Sequence, residues 1–110
     1  MKLIKENNQE THKFNVTDKP IELPVQDFIF LSVKAHSIPG ILDSLLPIVG
    51  KNTSIISAVN GLPWWYFYKA NTDTMLDNQH IESVDPSGRI WKTLGPEKAI
   101  GCVVYPACEI

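Results

Sequence analysis

The sequence predicts an α/β fold with a mostly parallel sheet and small hairpin additions. Two apolar, β-favouring segments, residues 28–33 and 55–59, flank one amphipathic helical segment, which is the order of a βαβ unit. Such a unit places its two strands parallel, with the helix across one face of the sheet and a right-handed connection. A later apolar segment, residues 99–105, predicts a further strand of the same sheet.

The N-terminal part predicts a peripheral hairpin. Two short alternating stretches lie on either side of the polar residues 6–10, and in the second His12, Phe14 and Val16 share one face. We therefore expect a hairpin with one buried side. Residues 17–20 predict a turn, and a short connector follows it.

The central βαβ unit has the clearest signals. Residues 28–33 are nearly all apolar, which is typical of a strand covered on both faces. Ser37 is predicted to cap a helix whose first turn tolerates Pro39, because the amide that proline lacks has no intrahelical partner there. Pro47 is expected to end this helix, and Gly50 suits its exit. One apolar stripe should face the sheet, formed by Ile38, Ile41, Leu42, Leu45 and Leu46.

The second half of the chain is less regular. Five aromatic residues run from Trp64 to Tyr68, and a polar loop follows over residues 69–80. The Asp85-Pro86-Ser87-Gly88 sequence has the residues of a β-turn, so residues 81–84 and 89–91 predict a small hairpin around it. Glu97 and Lys98 predict a solvated helical turn before the last strand.

Composition limits the class of protein. A chain of 110 residues with 44% hydrophobic and 20% charged residues is expected to form one globular domain. The net charge of -2, with no basic and aromatic cluster, disfavours nucleic acid as a partner. The polar residues 1–10 lack the apolar core of a signal peptide, and no apolar run approaches the ~20 residues of a membrane span. We expect a soluble cytoplasmic protein.

The cysteines and histidines do not indicate a metal site. The spacing of Cys102 and Cys108 fits neither a redox pair nor a zinc ligand set, so buried free thiols are expected. His12, His36 and His80 also lack ligand spacing.

Lys34 and Asn60 are the candidate site residues. Each follows one of the two central strands, and ligands of open parallel sheets bind beyond the carboxyl ends of the strands. Without further information Lys34 fits a solvated lysine that closes a strand better than a ligand contact. For Asn60 the turn role of an Asn-Gly pair and a binding role are equally supported.

Four motifs together resemble the ketopantoate reductases, or 2-dehydropantoate 2-reductases. They are Val33-Lys34-Ala35, Asn60-Gly61, Pro63-Trp64-Trp65 and residues 101–107, and the similarity covers most of the chain. The resemblance implies that residues 1–110 form a single partial NAD(P)-binding, Rossmann-like domain, doubly wound in the family. The family's glycine-rich first βαβ unit and its helical C-terminal domain would be absent. All six glycines indeed stand singly, so no phosphate-binding glycine loop is present.

The resemblance also implies a function. The family reduces 2-dehydropantoate to pantoate with NADPH, in pantothenate and coenzyme A biosynthesis. Lys34, Asn60 and Ala107 match positions that contact NADP, and Asn60 also lies beside the 2-oxo acid substrate. The family's catalytic residues come from the C-terminal domain, so none is assigned here, and the chain alone is expected to be inactive. A homodimer is a further expectation.

Two alternatives remain open at this point. The chain could be a noncatalytic interaction module that uses the aromatic cluster from Trp64 to Tyr68 as its contact surface. It could also be part of a related dehydrogenase that acts on another 2-oxo or 2-hydroxy acid.

Overall fold

A computed structural model describes residues 2–5, 8–11 and 13–105. The strands are β1 (Lys2–Lys5), β2 (Asn8–Thr11), β3 (Gln26–Leu31), β4 (Val49–Ser57) and β5 (Ala99–Gly101), and the helices are α1 (Ile38–Leu45) and α2 (Arg89–Leu94). Strands β3, β4 and β5 form a three-stranded sheet in that order, with both pairings parallel. Strands β1 and β2 form a separate antiparallel pair. The predicted α/β fold with a parallel sheet and a hairpin addition is therefore confirmed.

The hydrophobic core lies between one face of this sheet and the two helices. Alternate residues of β3 and β4 point to the same face, and Ile29, Leu31 and Ile55 are buried on it. Residues from α1, α2, the 3-10 turn between α1 and β4 and the segment between β4 and α2 complete the core, namely Ile38, Leu42, Ile48, Trp64, Ile90 and Leu94.

The opposite face of the sheet is open, which corrects the expectation that residues 28–33 are covered on both faces. Phe28 is 63% exposed and Phe30 67% exposed. The register places Phe30 beside Ile56 and Ile56 beside Ile100, so these three residues form one row across the sheet. Among the residues described, the helices pack against the other face, because the core cluster contains the alternate residues of β3.

A bulge in β4 sets the register with β3. Gln26 pairs with Val49 and Phe28 with Ser54, so two steps along β3 match five along β4. The Thr53 hydroxyl, which is buried, accepts a hydrogen bond from the Gly50 amide at 2.7 Å and donates one to the Gln26 carbonyl at 2.6 Å. This side chain satisfies main-chain groups that the interrupted ladder leaves without partners.

Helix α1 forms where predicted, but the predicted cap is absent. Ser37 precedes the helix without a side-chain capping bond, because its backbone is already helical at the end of a 3-10 turn over Ala35–Ser37. The helix ends at Leu45 and a 3-10 turn containing Pro47 follows it. Gly50 does not serve as a helix exit: it lies in β4, where a Cβ would come within 2.5 Å of a Val25 methyl.

The predicted hairpin around residues 85–88 is wrong. Residues 86–88 form a 3-10 turn that leads into helix α2. The fully buried Asp85 carboxylate accepts hydrogen bonds from the Ile90 amide at 2.7 Å and the Trp91 amide at 2.8 Å. These amides lie in the first turn of the helix, where they have no intrahelical partner, so Asp85 stabilises the start of a helix instead of a β-turn.

Other boundaries also shift. The second strand of the N-terminal hairpin is β2, and Phe14 and Val16, which were expected to be buried, are 60% and 90% exposed; His12 lies outside the described residues. Strand β5 ends at Gly101, earlier than predicted, and Trp65 packs against that glycine. Cys102 is a half-buried free cysteine, and Cys108 lies outside the described residues.

Candidate functional site

A cleft of about 330 Å³ opens at the carboxyl ends of β3 and β4. Its lining comes from the two segments that follow these strands and from one residue beyond β5, namely Ser32, Val33, Lys34, Ala35, Ala58, Val59, Asn60 and Val104. The structure therefore brings Lys34 and Asn60 together in one cleft between parallel strands, as their positions in the sequence predict.

Lys34 places a positive charge at the mouth of the cleft. Its backbone is extended at φ -66° and ψ 145°, and its carbonyl accepts a hydrogen bond from the Ser37 amide at 2.8 Å, which starts the 3-10 turn. The residue is exposed. Within the described part of the chain Lys34 belongs to none of the ion pairs. Its ammonium group is thus available to an anionic ligand.

Asn60 makes two hydrogen bonds across the cleft. Its Nδ2 donates to the Val104 carbonyl at 2.9 Å, and its Oδ1 accepts from the Val104 amide at 3.0 Å. Each carboxamide has two N–H donors and two acceptor lone pairs. One donor and one acceptor site of Asn60 therefore remain for a ligand.

Sequence reasoning missed Ser32 and Val104 as lining residues of the cleft. Ser32 lies two residues before Lys34, and this spacing places both on one side of an extended segment, so alternation could have found it. Val104 carries no side-chain signal, because it takes part through its backbone. Ala107, the third predicted contact, lies outside the described residues.

The aromatic cluster contributes mainly to the core. Trp64 is only 2% exposed, and Trp65, Phe67 and Tyr68 are half-buried. Tyr68 stacks edge-on against Trp91 of α2, with ring centroids 6.1 Å apart. Since Tyr66 is the exposed member of the cluster, the structure does not favour the cluster as a contact surface.

Three carboxylates among the described residues outside the cleft have lowered pKa values. The pKa of Glu82 is lowered by its hydrogen bond with His80 and then by the Ser87 amide. The pKa of Asp77 is lowered by the Thr72 hydroxyl and amide, and that of Glu97 by a hydrogen bond from Lys98. Their hydrogen bonds stabilise turns of the chain away from the cleft.

None of the helices in the described part of the chain has the length and apolar character needed to cross a lipid bilayer.

Comparison with known proteins identifies relatives over the whole chain. A 2-dehydropantoate 2-reductase from Mesorhizobium japonicum is 38% identical over 110 residues, which is 100% of this chain and 33% of that protein. The crystal structure of a protein assigned as a ketopantoate reductase, from Ralstonia solanacearum MolK2, superposes with a TM-score of 0.83 at 29% identity. That match covers 99% of this chain and 33% of the other. No family model matches the sequence.

The chain thus spans about one third of the length of these relatives. The resemblance seen in four short motifs extends to the entire sequence and to the parallel sheet that carries the cleft. By sequence and by fold, the chain is similar over its whole length to part of a 2-dehydropantoate 2-reductase and of a ketopantoate reductase.

Proposed function

We propose that this chain supplies one wall of the dinucleotide cleft of an NADPH-dependent 2-dehydropantoate 2-reductase. The reaction would reduce 2-dehydropantoate, a 2-oxo acid, to pantoate in the cytoplasmic synthesis of pantothenate and coenzyme A. One observation carries the proposal: Lys34 and Asn60 meet in a cleft at the carboxyl ends of parallel strands, in a chain 38% identical over its length to a 2-dehydropantoate 2-reductase.

The residues of the cleft fit part of a dinucleotide. The Lys34 ammonium suits phosphate, ribose or carboxylate oxygens, and the Asn60 carboxamide has a donor and an acceptor to spare for a carboxamide or hydroxyl. The volume of about 330 Å³ is at the lower end for small-molecule sites and suits one end of the cofactor better than all of it.

When bound, NADPH supplies the hydride that reduces the ketone. In this proposal Lys34 binds and orients an anionic group, while Asn60 orients the neighbouring polar group and excludes water from that side. The growing charge on the ketone oxygen requires nearby donors and a proton source. We place the proton source in the part of the enzyme that corresponds to the remaining length of the relatives.

The group that binds the pyrophosphate of the cofactor is also placed outside this chain in the proposal. Glycine-rich turns at a helix N-terminus usually hold this group, and the six glycines of this chain are all isolated. We therefore propose that residues 1–110 form the later part of a dinucleotide-binding domain, and that the pyrophosphate anchor is supplied by another segment.

A nuclear magnetic resonance titration of the isotope-labelled chain with NADPH tests the proposal. We expect binding weaker than micromolar, with shift changes confined to residues that line the cleft. Lys34→Ala should weaken this binding by about 1–3 kcal/mol, since it removes one charged contact. Lys51→Ala serves as the matched control, because Lys51 is exposed on β4 outside the cleft.

Parallel titration with NADH tests the preference for the phosphorylated cofactor. Shift changes elsewhere on the surface, or equal binding by Lys34→Ala and the unmodified chain, would contradict the assignment of the cleft. Micromolar binding by the chain alone would contradict the missing pyrophosphate anchor.

A further inference from the structure

Hydrogen bonds continue beyond the paired residues of β4 and β5, first between backbone groups and then through a side chain. Regular pairing ends where Ser57 faces Gly101, and the Cys102 amide adds one more bond to the Ser57 carbonyl at 3.2 Å. The residues that follow, 58–60 and 102–105, belong to no strand. At this point the Asn60 side chain bonds to both main-chain groups of Val104, at 2.9 and 3.0 Å.

These two bonds imitate a backbone pair. In a hydrogen-bonded pair of antiparallel strands, two residues exchange both N–H···O bonds. The Asn60 carboxamide supplies one donor and one acceptor to a single residue in the same manner. The orientation of the amide is fixed, because the Val104 amide can only donate and its carbonyl can only accept.

The contact is not a local turn. Asparagine side chains in Asn-Gly turns bond to main-chain groups about two residues away, whereas 44 residues separate Asn60 from Val104. Gly61 follows with φ +107° and open space around it, so the backbone turns away freely while the Asn60 side chain stays on the other segment.

We propose that Asn60 is a positioning residue that holds residues 102–105 against the end of β4 and thereby sets the position of Val104 in the cleft wall. This inference rests on the proposed function only for the identity of the ligand. We call the two bonds between the Asn60 carboxamide and Val104 the clamp. The carboxamide keeps one N–H and one acceptor site, so Asn60 contacts a ligand without releasing Val104. Aspartate keeps only the acceptor half of the clamp, and alanine keeps neither.

Amide hydrogen exchange of the full chain, followed by nuclear magnetic resonance, tests the clamp without any nucleotide. Asn60→Ala should accelerate exchange of the Val104 amide roughly tenfold, as expected for the loss of ordinary hydrogen bonds that hold a short segment. Asn60→Asp should retain much of the protection of that amide, since its carboxylate still accepts the bond. Asn52→Ala, at an exposed asparagine of β4 outside the cleft, should leave Val104 unchanged.

NADPH titration of the same variants separates positioning from simple stabilisation. In Asn60→Ala the NADPH-induced shift at Val104 should disappear and affinity should fall, although the melting temperature stays close to that of the unmodified chain. Lys34→Ala should lose affinity while Val104 exchange remains slow.

Two results would overturn the inference. Unchanged Val104 exchange in Asn60→Ala would show that the clamp does not order the segment, and accelerated exchange with unaltered NADPH binding would show that the clamp does not position the cleft. If the unmodified chain does not respond to NADPH at all, the proposed function fails, and the exchange measurement still decides whether the clamp exists.

Discussion

Single polar side chains replace missing backbone partners at several places in the described part of the chain. Asn60 does so beyond the end of β5, Thr53 at the bulge of β4, and Asp85 at the start of α2. Each lies where a regular hydrogen-bonding pattern is interrupted, and each satisfies at least two bonds. Main-chain groups in such positions otherwise carry a desolvation penalty, so these residues decide where the irregular segments lie.

Glu82 is another such side chain, and its lowered pKa leads us to expect a measurable dependence of stability on pH. Its carboxylate bonds with His80 at 3.0 Å and accepts the Ser87 amide at 3.1 Å, and the pKa of Glu82 is lowered first by His80 and then by Ser87. A depressed carboxyl pKa adds stability above the ordinary glutamate range, and this contribution is lost as pH falls through the lowered pKa.

His80→Ala should therefore raise the pKa of Glu82 towards that of a free glutamate, as followed by a carbon-detected nuclear magnetic resonance titration. Lys92→Ala is a suitable control, because the charge of Lys92 is the last contribution to the Glu82 pKa. A Glu82 pKa that is insensitive to His80→Ala would contradict the assigned cause.

The position of the candidate site was predictable in part. The place of Lys34 and Asn60 in one cleft was predicted because each follows an apolar strand, and parallel strands bring their carboxyl ends to one edge. The bond between Asn60 and Val104 could not be predicted, because it joins segments 44 residues apart and one partner is a backbone group.

At the scale of elements, long periodic segments were predictable and short ones were not. The apolar periodicities predicted α1 and the parallel pairing of β3 with β4. Helix α2 has only six residues, too few for a helical period to stand out, and the sequence before it matches a β-turn. Two signals were overlooked. Asp85 can cap the helix, and Ile90 and Leu94 lie one turn apart on its buried side.

Removing this cap should destabilise the protein. Asp85→Ala leaves two helix amides without an acceptor in a buried place, so we expect the free energy of unfolding to fall by about 2 kcal/mol. Asp85→Asn keeps one acceptor oxygen and should lose less. Urea denaturation measures both.

Asp43→Ala provides the comparison for this experiment. Asp43 is 83% exposed and pairs with Arg89 at 3.1 Å, and exposed ion pairs contribute less than about 1 kcal/mol. Equal losses in the Asp85 and Asp43 variants would show that the cap does not stabilise α2.

At the scale of the whole molecule, the described residues cover only one face of the three-stranded sheet. The apolar character of residues 28–33 was recognised, but the sequence does not show which layer covers which face, because that depends on how the segments are arranged in space. Parallel sheets usually have both faces covered, and here Phe28 and Phe30 lie on an open face.

This open apolar face should promote association of the isolated chain with itself and with apolar molecules. We expect it to bind a hydrophobic dye and to self-associate with rising concentration. The double variant Phe28→Ser with Phe30→Ser should reduce both effects while changing the free energy of unfolding by less than about 1 kcal/mol per site, because both rings are largely exposed. Sedimentation at several concentrations provides the measurement.

Leu42→Ala should have the opposite effect: it should lower the free energy of unfolding without reducing self-association. Leu42 is fully buried beneath the sheet, so its truncation should cost about 2–5 kcal/mol. Self-association that persists in the double serine variant would mean that another surface is responsible.

The bulge in β4 has a consequence for how this sheet tolerates changes in chain length. Shifting a strand by one residue would turn its buried side chains to the opposite face, but Lys51 and Asn52 are exposed within the irregular stretch, and Thr53 fixes the pairing after it. We therefore expect an extra residue here, or a spectroscopic label on the variant Lys51→Cys, to be accommodated locally. The pairing of Ile55 with Ile29 and the cleft beyond the strand ends should then stay as they are in the unmodified chain.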